Sequence, residues 1–282
     1  MGARLSGSVA PPLKSRPGLD DLPESCIALI FAQMDPPDIG RFAVMNRAFC
    51  LASLADFVWE SKLPSNYKFL VHKLFGEIPE RLSKKDIYVR LCRPVRFDAG
   101  TKEIWLEKSS GKMCMAISWK GLRITGIDDR RYWSHLPTEE SRFHAVAYLH
   151  QVWWLEVSGE LEFSFPAGSS SVFFRLLVGK PTKRHGHRAC DLDHVHGWDT
   201  KPVRFRLSTV NNQHEISHCY FLMEVGKWGY YHAGDFTVDD PNKPVKINFS
   251  MNQIDCTHTK GGLCLDSVII CPSELREKLV EW

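Results

Sequence analysis

The segment His214-Glu215-Ile216-Ser217-His218 has the H-E-x-x-H spacing of zinc metalloproteases. In those enzymes both imidazoles lie on one helical face and bind zinc at about 2 Å, while the glutamate acts as general base. Here Ile216, His218 and Tyr220 recur at every second position, which predicts a strand. On a strand the two histidines stand about 13 Å apart, at roughly 3.3 Å per residue. We therefore expect no metalloprotease and assign no catalytic residue.

A second group of potential metal ligands lies in a segment predicted to be a long loop. Its members are His185, His187, Cys190, Asp191, Asp193, His194 and His196. Their spacing matches no zinc finger, and a solvated loop is the favoured interpretation. Neighbouring Lys183, Arg184 and Arg188 are compatible with nuclear localisation or nucleic-acid contact, but no wider basic face surrounds them. We predict no metal, no cofactor and no nucleic-acid partner.

The composition is that of a globular protein large enough for two domains. The chain has 282 residues, 44% hydrophobic content and a net charge of +3, which is too mild to indicate a polyanionic partner. Its nine cysteines form no C-x-x-C pair, so we expect reduced thiols. The sequence has no Walker A loop, no G-x-G-x-x-G and no G-x-S-x-G.

Targeting signals are weak. No apolar run reaches the roughly 18 to 20 residues of a membrane span, and no signal peptide is recognisable. We expect a cytoplasmic or nuclear protein, or one present in both, in which the sequon Asn248-Phe249-Ser250 stays unmodified. Met1-Gly2 followed by Ser6 fits the N-myristoylation pattern, but the pattern is short, and modification at Gly2 is the minor alternative.

Residues 1–18 contain several prolines, glycines and serines and are predicted to be a disordered tail. From Leu19 onward, one apolar helical face is predicted at the spacings i, i+3, i+4 and i+7, formed by Ile27, Ile30, Phe31 and Met34, with Pro23 at the first turn. Asp35-Pro36-Pro37 must end this helix, and Pro37 can open the next one. Further short helices are predicted from Arg47 to Leu54 and around Phe57 to Trp59. The result is a small helical segment with more apolar surface than it can bury alone.

Residues 65–100 are predicted to form a helical linker, with a helix from Ser83 to Leu91. Beyond Thr101 the apolar period changes to two, as in Val203, Phe205 and Leu207. Around Ser158-Gly159 the alternation predicts a hairpin or a bulged strand. Many short strands with intervening turn residues predict an antiparallel β-sandwich, and residues 273–282 a short closing helix. The expected fold class is therefore α + β, with two domains.

The helical segment resembles an F-box. The matching residues run from Leu22-Pro23-Glu24 through Ile27, Ile30-Phe31, Met34, Pro37, Ile39 and Val44 to Phe57-Val58-Trp59, within a domain that we bound at residues 19–64. An F-box docks its protein on the Skp-type linker of an SCF ubiquitin ligase. The resemblance implies that seven residues contact this linker or support the contact: Leu22, Pro23, Ile27, Ile30, Phe31, Ile39 and Trp59. A purely internal role in a small core is the alternative.

Residues 101–272 resemble the phloem protein 2 family of Nictaba-related plant lectins. The matching segments are Leu122 to Trp133, Glu140-Ser141-Arg142-Phe143, Val152 to Glu160, Gly234-Asp235-Phe236 and Lys260-Gly261-Gly262-Leu263. The family fold is a jelly-roll-like sandwich that binds glycans containing N-acetylglucosamine through tryptophans. The resemblance implies a carbohydrate site at Tyr132 and Trp133, although Gly126 stands where a second tryptophan belongs. Trp133 is equally compatible with a rim or core position.

The two resemblances together imply a non-catalytic substrate-recognition subunit of an SCF-type ubiquitin ligase. Its F-box would bind the Skp-type linker protein, and its β domain would bind a target protein, glycosylated or not. The alternative is a stand-alone nucleocytoplasmic lectin in which the F-box-like segment is merely structural.

Overall fold

The computed structural model describes residues 22–76, 82–184, 187–209 and 215–281. The chain divides between Ser61 and Lys62 into two compact units, which we call the helical unit and the β unit. The predicted tail, residues 1–18, lies outside the described residues, as does Gly2. Among the described helices, none is long and apolar enough to cross a membrane.

The helical unit contains four short helices among its described residues: α1 (Glu24–Phe31), α2 (Pro36–Ala43), α3 (Arg47–Ala52) and α4 (Asp56–Glu60). Proline sets two of the starts, since Pro23 immediately precedes α1 and Pro36 is the first residue of α2. Asn46 caps α3 by accepting a 2.8 Å hydrogen bond from the Phe49 amide. The predicted break at Asp35-Pro36-Pro37 does separate the two helices, but α1 already ends at Phe31, so Met34 lies outside it, and α2 begins at Pro36 rather than Pro37.

The centre of the helical unit is aromatic. The rings of Phe31, Phe42 and Phe49 lie within 5.9–6.3 Å of one another, one from each of the first three helices. Such tilted and edge-on contacts stabilise by roughly 0.5–1.5 kcal/mol beyond the burial itself. The three helices are thus held around one small core.

The segment predicted as a helical linker, residues 65–100, is an integral part of the β unit. It forms α5 (Tyr67–Phe75) and α6 (Lys84–Leu91). Phe69 of α5 packs edge-on against Phe163 at 5.1 Å, and the Asn66 amide donates a 2.6 Å hydrogen bond to the Ser164 carbonyl. Buried aromatic and polar contacts of this kind fix the segment onto the sandwich rather than leave it as a spacer.

The described part of the β unit contains fifteen strands. They are β1 (Val95–Phe97), β2 (Lys102–Leu106), β3 (Met113–Ser118), β4 (Arg123–Ile124), β5 (Trp133–Pro137), β6 (Ala145–Leu149), β7 (Leu155–Phe163), β8 (Gly168–Val178), β9 (Lys180–Arg184), β10 (His187–Asp191), β11 (Val203–Thr209), β12 (Glu215–Tyr220), β13 (Trp228–Val238), β14 (Val245–Gln253) and β15 (Leu263–Pro272). Every pairing between these strands is antiparallel. A 3₁₀ helix, Ser273–Glu281, occupies the region predicted to be a closing helix.

Two sheets form the sandwich. The larger has eight strands, and its central strand β15 pairs with β3, β6 and β8, while β8 also pairs with β13. The smaller has five strands in the order β12-β11-β14-β7-β4. Phe174 of the larger sheet lies 5.5 Å from Phe205 and 6.1 Å from Phe249 of the smaller sheet. The core therefore lies between the sheets, and the predicted α + β class with an antiparallel sandwich is confirmed.

The structure corrects the prediction at Ser158-Gly159. These residues form neither a hairpin nor a bulge but the middle of β7, which pairs with β14 without a register shift. A Cβ atom built on Gly159 would lie 2.3 Å from Cε2 of Phe249, so the ring of the neighbouring strand uses the space that a side chain would fill. Glycine here indicates a close cross-strand approach rather than a turn.

The segment predicted to be a long loop is also different. Residues Lys180–Arg184 and His187–Asp191 pair as a two-stranded hairpin, β9 and β10, with residues 185 and 186 outside the described range. Because alternation was hidden by the many charged residues, the sequence pattern resembled a solvated loop.

Candidate functional site

The seven residues predicted to bind or support the linker protein fall into two groups. Leu22, Pro23 and Ile30 are exposed, Ile30 by 43%. The other four are buried: Ile27, Phe31, Ile39 and Trp59. Exposed apolar side chains can contact a partner directly, whereas the buried ones can act only through the helices that they hold.

Trp59 shows how the buried group acts. Its indole N–H donates a 2.6 Å hydrogen bond to the carbonyl oxygen of Ser53, which lies just beyond the end of α3. The last carbonyls of a helix have no partner within the helix, so this bond satisfies one of them. Trp59 therefore joins α4 to the end of α3.

The helical unit also exposes apolar side chains that the sequence analysis did not assign to the contact. They are Leu29, Val44, Met45, Leu51, Leu54 and Phe57. Val44 is 85% exposed and lies in the turn after α2. The sequence did indicate that one of them is exposed. Leu29 is apolar, but it does not share the helical spacing of the buried residues Ile27 and Phe31, so it cannot face the same core.

In the β unit, Trp133 is not available for stacking on a sugar. It is 1% exposed, and its indole N–H donates a 3.1 Å hydrogen bond to the carbonyl oxygen of Thr125. It begins β5, where it pairs with Leu149 of β6. This corrects the expectation of a carbohydrate contact at Trp133, because a ring enclosed on both faces has no surface for a ligand.

Tyr132, the other predicted sugar-contacting residue, is exposed. Its ring packs over Gly126, whose φ of +72° favours glycine, and a Cβ at that position would lie 3.2 Å from Cδ2 of Tyr132. The Arg131 guanidinium lies 5.4 Å from the centre of the Tyr132 ring. The position at which a second tryptophan was expected, Gly126, is thus covered by the Tyr132 ring.

Two exposed tryptophans were missed as site residues, although they lie in a segment used for the family resemblance. Trp153 is 54% exposed, and Trp154 is also exposed. The Trp154 indole N–H donates a 3.3 Å hydrogen bond to the carboxylate of Glu156, which orients one of the two rings. Aromatic side chains held on the surface in this way are typical of binding sites.

A buried lysine holds the main chain beneath these tryptophans. Lys260 is 0% exposed, and the three protons of its ammonium group are shared among four acceptors: the carbonyl oxygens of Trp153 (2.7 Å), Asp255 (2.8 Å) and Gln253 (3.1 Å) and the Gln253 side-chain oxygen. Burial lowers the pKa of Lys260, an effect that Cys256 and Asp255 partly oppose. The lysine therefore fastens the loop before β7 to the loop after β14.

The described residues of the two histidine motifs do not form a metal centre. His214 lies outside the described residues, and Glu215 and His218 lie on strand β12, which confirms the strand prediction. The His218 ring packs against that of His232 at 5.1 Å. In the second group, His185 is outside the described range. Among the described residues no group of three or more His, Cys, Asp or Glu side chains could hold a metal.

Comparisons with known proteins identify both units. The F-box domain model matches residues 19–59, and the Phloem protein 2 model matches residues 112–272. The chain is 56% identical to F-box protein PP2-A13 of Arabidopsis thaliana over 93% of this chain and 91% of that protein. It is 55% identical to F-box protein PP2-A11 of the same plant, over 94% of this chain and 92% of the relative.

Proposed function

The chain belongs to the phloem protein 2 family of F-box proteins, and from this premise we propose that it is a substrate-recognition subunit of an SCF-type ubiquitin ligase. The helical unit binds a Skp-type linker protein, and the β unit binds the target. The protein itself performs no chemistry. It acts by bringing the target close to catalytic subunits, which raises their effective concentration around it.

The observation that carries this proposal is the division of the F-box residues into an exposed and a buried set. Leu22, Pro23 and Ile30 present apolar surface, while Phe31 and Trp59 hold the short helices behind them. A unit of this size rarely exposes so much apolar surface unless a partner covers it. Docking of helices into an apolar groove uses anchors of this type.

The test is co-purification of the full chain with a Skp-type linker protein. We expect a stable complex with the wild type and its loss in the double variant Leu22→Ala, Pro23→Ala. Ile30→Ala alone is expected to weaken binding about tenfold, as for an exposed anchor at an interface. Met223→Ala, an exposed apolar position of the β unit, is the matched control and should bind normally.

All four substituted residues are exposed, so the variants are expected to fold, and circular dichroism of each variant separates lost docking from lost folding. No complex with the wild type, or full binding by the double variant, contradicts the proposal. We place the complex in the cytoplasm or the nucleus, where fluorescent tagging of the full chain can locate it.

A stand-alone nucleocytoplasmic lectin is the second candidate, supported by the exposed rings of Tyr132, Trp153 and Trp154. Exposed aromatic faces stack on the apolar face of sugar rings. On a glycan array the lectin function predicts saturable binding that Tyr132→Ala and Trp154→Ala reduce. Binding to N-acetylglucosamine-containing glycans together with failure to bind a Skp-type linker would favour this candidate over the adaptor.

A further inference from the structure

The outer face of the five-stranded sheet carries ordered rows of polar side chains. Along β11 the core-facing residues are Val203, Phe205 and Leu207, so Arg204 and Arg206 point to the opposite, solvent-facing side. In antiparallel strands, residues directly opposite each other share a face. The strand register therefore gives the neighbours of each arginine.

The first row is centred on Arg204. It stands opposite Cys219 of the edge strand β12 on one side and Asn252 of β14 on the other. Asn252 in turn stands opposite Glu156 of β7. Arg204 is exposed and makes no hydrogen bond or ion pair with any other described residue.

The second row is centred on Arg206. It stands opposite Ser217 of β12 and Ser250 of β14. Its Nη1 atom is 3.2 Å from a carboxylate oxygen of Glu215, and its Nε atom is buried without a hydrogen-bond partner among the described residues. A buried donor left unpaired costs roughly 1–3 kcal/mol, so a movement of the Arg206 side chain that brings Nε to a ligand's acceptor is favoured.

The polar side chains beside the two arginines also lack hydrogen-bond partners in the described part of the chain. Ser217, Ser250 and Asn252 form no side-chain hydrogen bond with other described residues, although Ser250 and Asn252 are half-buried. Arg204 and Arg206 lie about 6.7 Å apart along the strand, and their cross-strand neighbours lie about 5 Å away. Arg204, Arg206, Ser217, Ser250 and Asn252 are thus neighbours on one face of the sheet, and we call this group the arginine site.

We propose that the arginine site binds a phosphorylated serine or threonine side chain in an extended segment of a partner protein. A phosphomonoester has about two negative charges and three acceptor oxygens at neutral pH. Planar guanidinium groups donate two parallel hydrogen bonds to such oxygens. Ser217, Ser250 and Asn252 supply further donors for the remaining oxygens.

The charge pattern of the same face selects a peptide over a polyanion. Strand β7, two strands from β11 and roughly 10 Å away, carries Glu156, Glu160 and Glu162 on this face. Only Glu160 has a lysine partner among the described residues, Lys246 at 2.8 Å. Nucleic acid or an anionic membrane would place further phosphates against these carboxylates and be repelled. A peptide with one phosphate and a nearby basic residue places its phosphate against the arginines and its positive charge against the glutamates.

This inference deepens the proposed function, since it takes the partner to be the ubiquitination target. The two ideas remain separable, because binding at the arginine site requires no linker protein. Binding of the Skp-type linker is therefore measured on the same variants and is expected to be unchanged.

The probe is a fluorescent degenerate peptide library with one fixed phosphoserine, compared with its unphosphorylated form by fluorescence anisotropy on the full chain. We expect the phosphorylated library to bind preferentially, with inorganic phosphate competing. Arg204→Gln together with Arg206→Gln should weaken that binding about tenfold or more. Glu215→Gln should strengthen it by about twofold to threefold, because it removes the competing carboxylate from Arg206.

The matched control is Arg123→Gln, which removes the same charge on the same face but on β4, opposite Ser158. It should leave binding unchanged, and urea denaturation should show that all variants are folded. Three outcomes overturn the proposal: no preference for the phosphorylated library, an equal loss in Arg123→Gln, or tighter binding of single-stranded DNA or anionic vesicles than of phosphopeptide.

Discussion

The ammonium nitrogen of Lys260 lies 2.7 Å from the carbonyl oxygen of Trp153, in a position closed to solvent. The two residues belong to different loops, and both lie in segments that support the family assignment. Since Trp153 is exposed while its carbonyl is tied to a buried charge, the lysine fixes the main chain without restricting the ring. A surface aromatic on an anchored backbone loses little backbone entropy on binding.

Replacing Lys260 with methionine is expected to lower the free energy of unfolding by about 2–4 kcal/mol. Methionine fills a similar volume but leaves the carbonyls of Trp153, Gln253 and Asp255 without a donor. Urea denaturation measures the change. Lys243→Met, at an exposed lysine, is the control and should alter stability by less than about 0.5 kcal/mol. Equal stability of the two variants would show that the ammonium is not structurally required.

Trp133 and Trp154 are expected to respond to substitution in opposite ways. Trp133→Ala removes a fully buried ring and should cost about 3–5 kcal/mol of stability. Trp154→Ala removes an exposed ring and should change stability by less than about 0.5 kcal/mol. Thermal denaturation compares the two. Glycan or target binding that is lost in a fully folded Trp133 variant would contradict the buried placement of this residue.

Gly159 is expected to tolerate no side chain while Phe249 is present. Gly159→Ala places a methyl group 2.3 Å from the Phe249 ring and should cost about 1–3 kcal/mol through overpacking. Adding Phe249→Leu removes the clashing ring atoms, so the double variant should be more stable than the sum of the single changes. A double-mutant cycle by urea denaturation measures this coupling. If the two changes in the free energy of unfolding are strictly additive, residues 159 and 249 are not in contact.

Glu107 should make the stability of the fold depend on pH in the acid range. Burial by itself raises its pKa, but hydrogen bonds from the Ser109 and Ser110 side chains and amides outweigh it and hold the pKa at about 2. A carboxyl whose pKa is lower when folded stabilises above its unfolded pKa. That contribution is complete above about pH 4.5 and disappears as the pH falls toward 2.

The measurement is the urea midpoint of wild type and Glu107→Gln between pH 2 and pH 6. The difference between the two should shrink as the pH falls through this window. Glu277→Gln, at an exposed position, serves as the control and should follow the wild type throughout. A constant difference at all pH values would assign the effect to packing instead of charge.

The sequence predicted those elements whose signals are local. The prolines at 23 and 36 mark the starts of α1 and α2, and strict alternation in β11 and β14 follows from one buried face. Strands β5 and β6 were missed. Residues Val146 to Leu149 are buried at every position, so they show no alternation, and β5 ends on Pro137, a residue unusual in strands.

The site residues were less predictable because exposure depends on distant contacts. Trp133 and Trp154 both lie in matching family segments, yet one is enclosed and the other open. Arg204 and Arg206 could be placed on one face of a strand from the sequence. Their neighbours Asn252 and Ser250 follow only from the pairing of β11 with β14, which no local pattern specifies.

The position of β15 in the larger sheet has a consequence for biosynthesis. This strand joins β3, β6 and β8, all of which precede it in the chain. Strands β3, β6 and β8 leave the ribosome first, and the edges that pair with β15 stay unpaired until residues 263–272 have been synthesised. During that interval the nascent sandwich exposes aggregation-prone edges, whereas the helical unit needs only local contacts and can fold early. We therefore expect chaperone dependence to be confined to the later-synthesised part of the polypeptide.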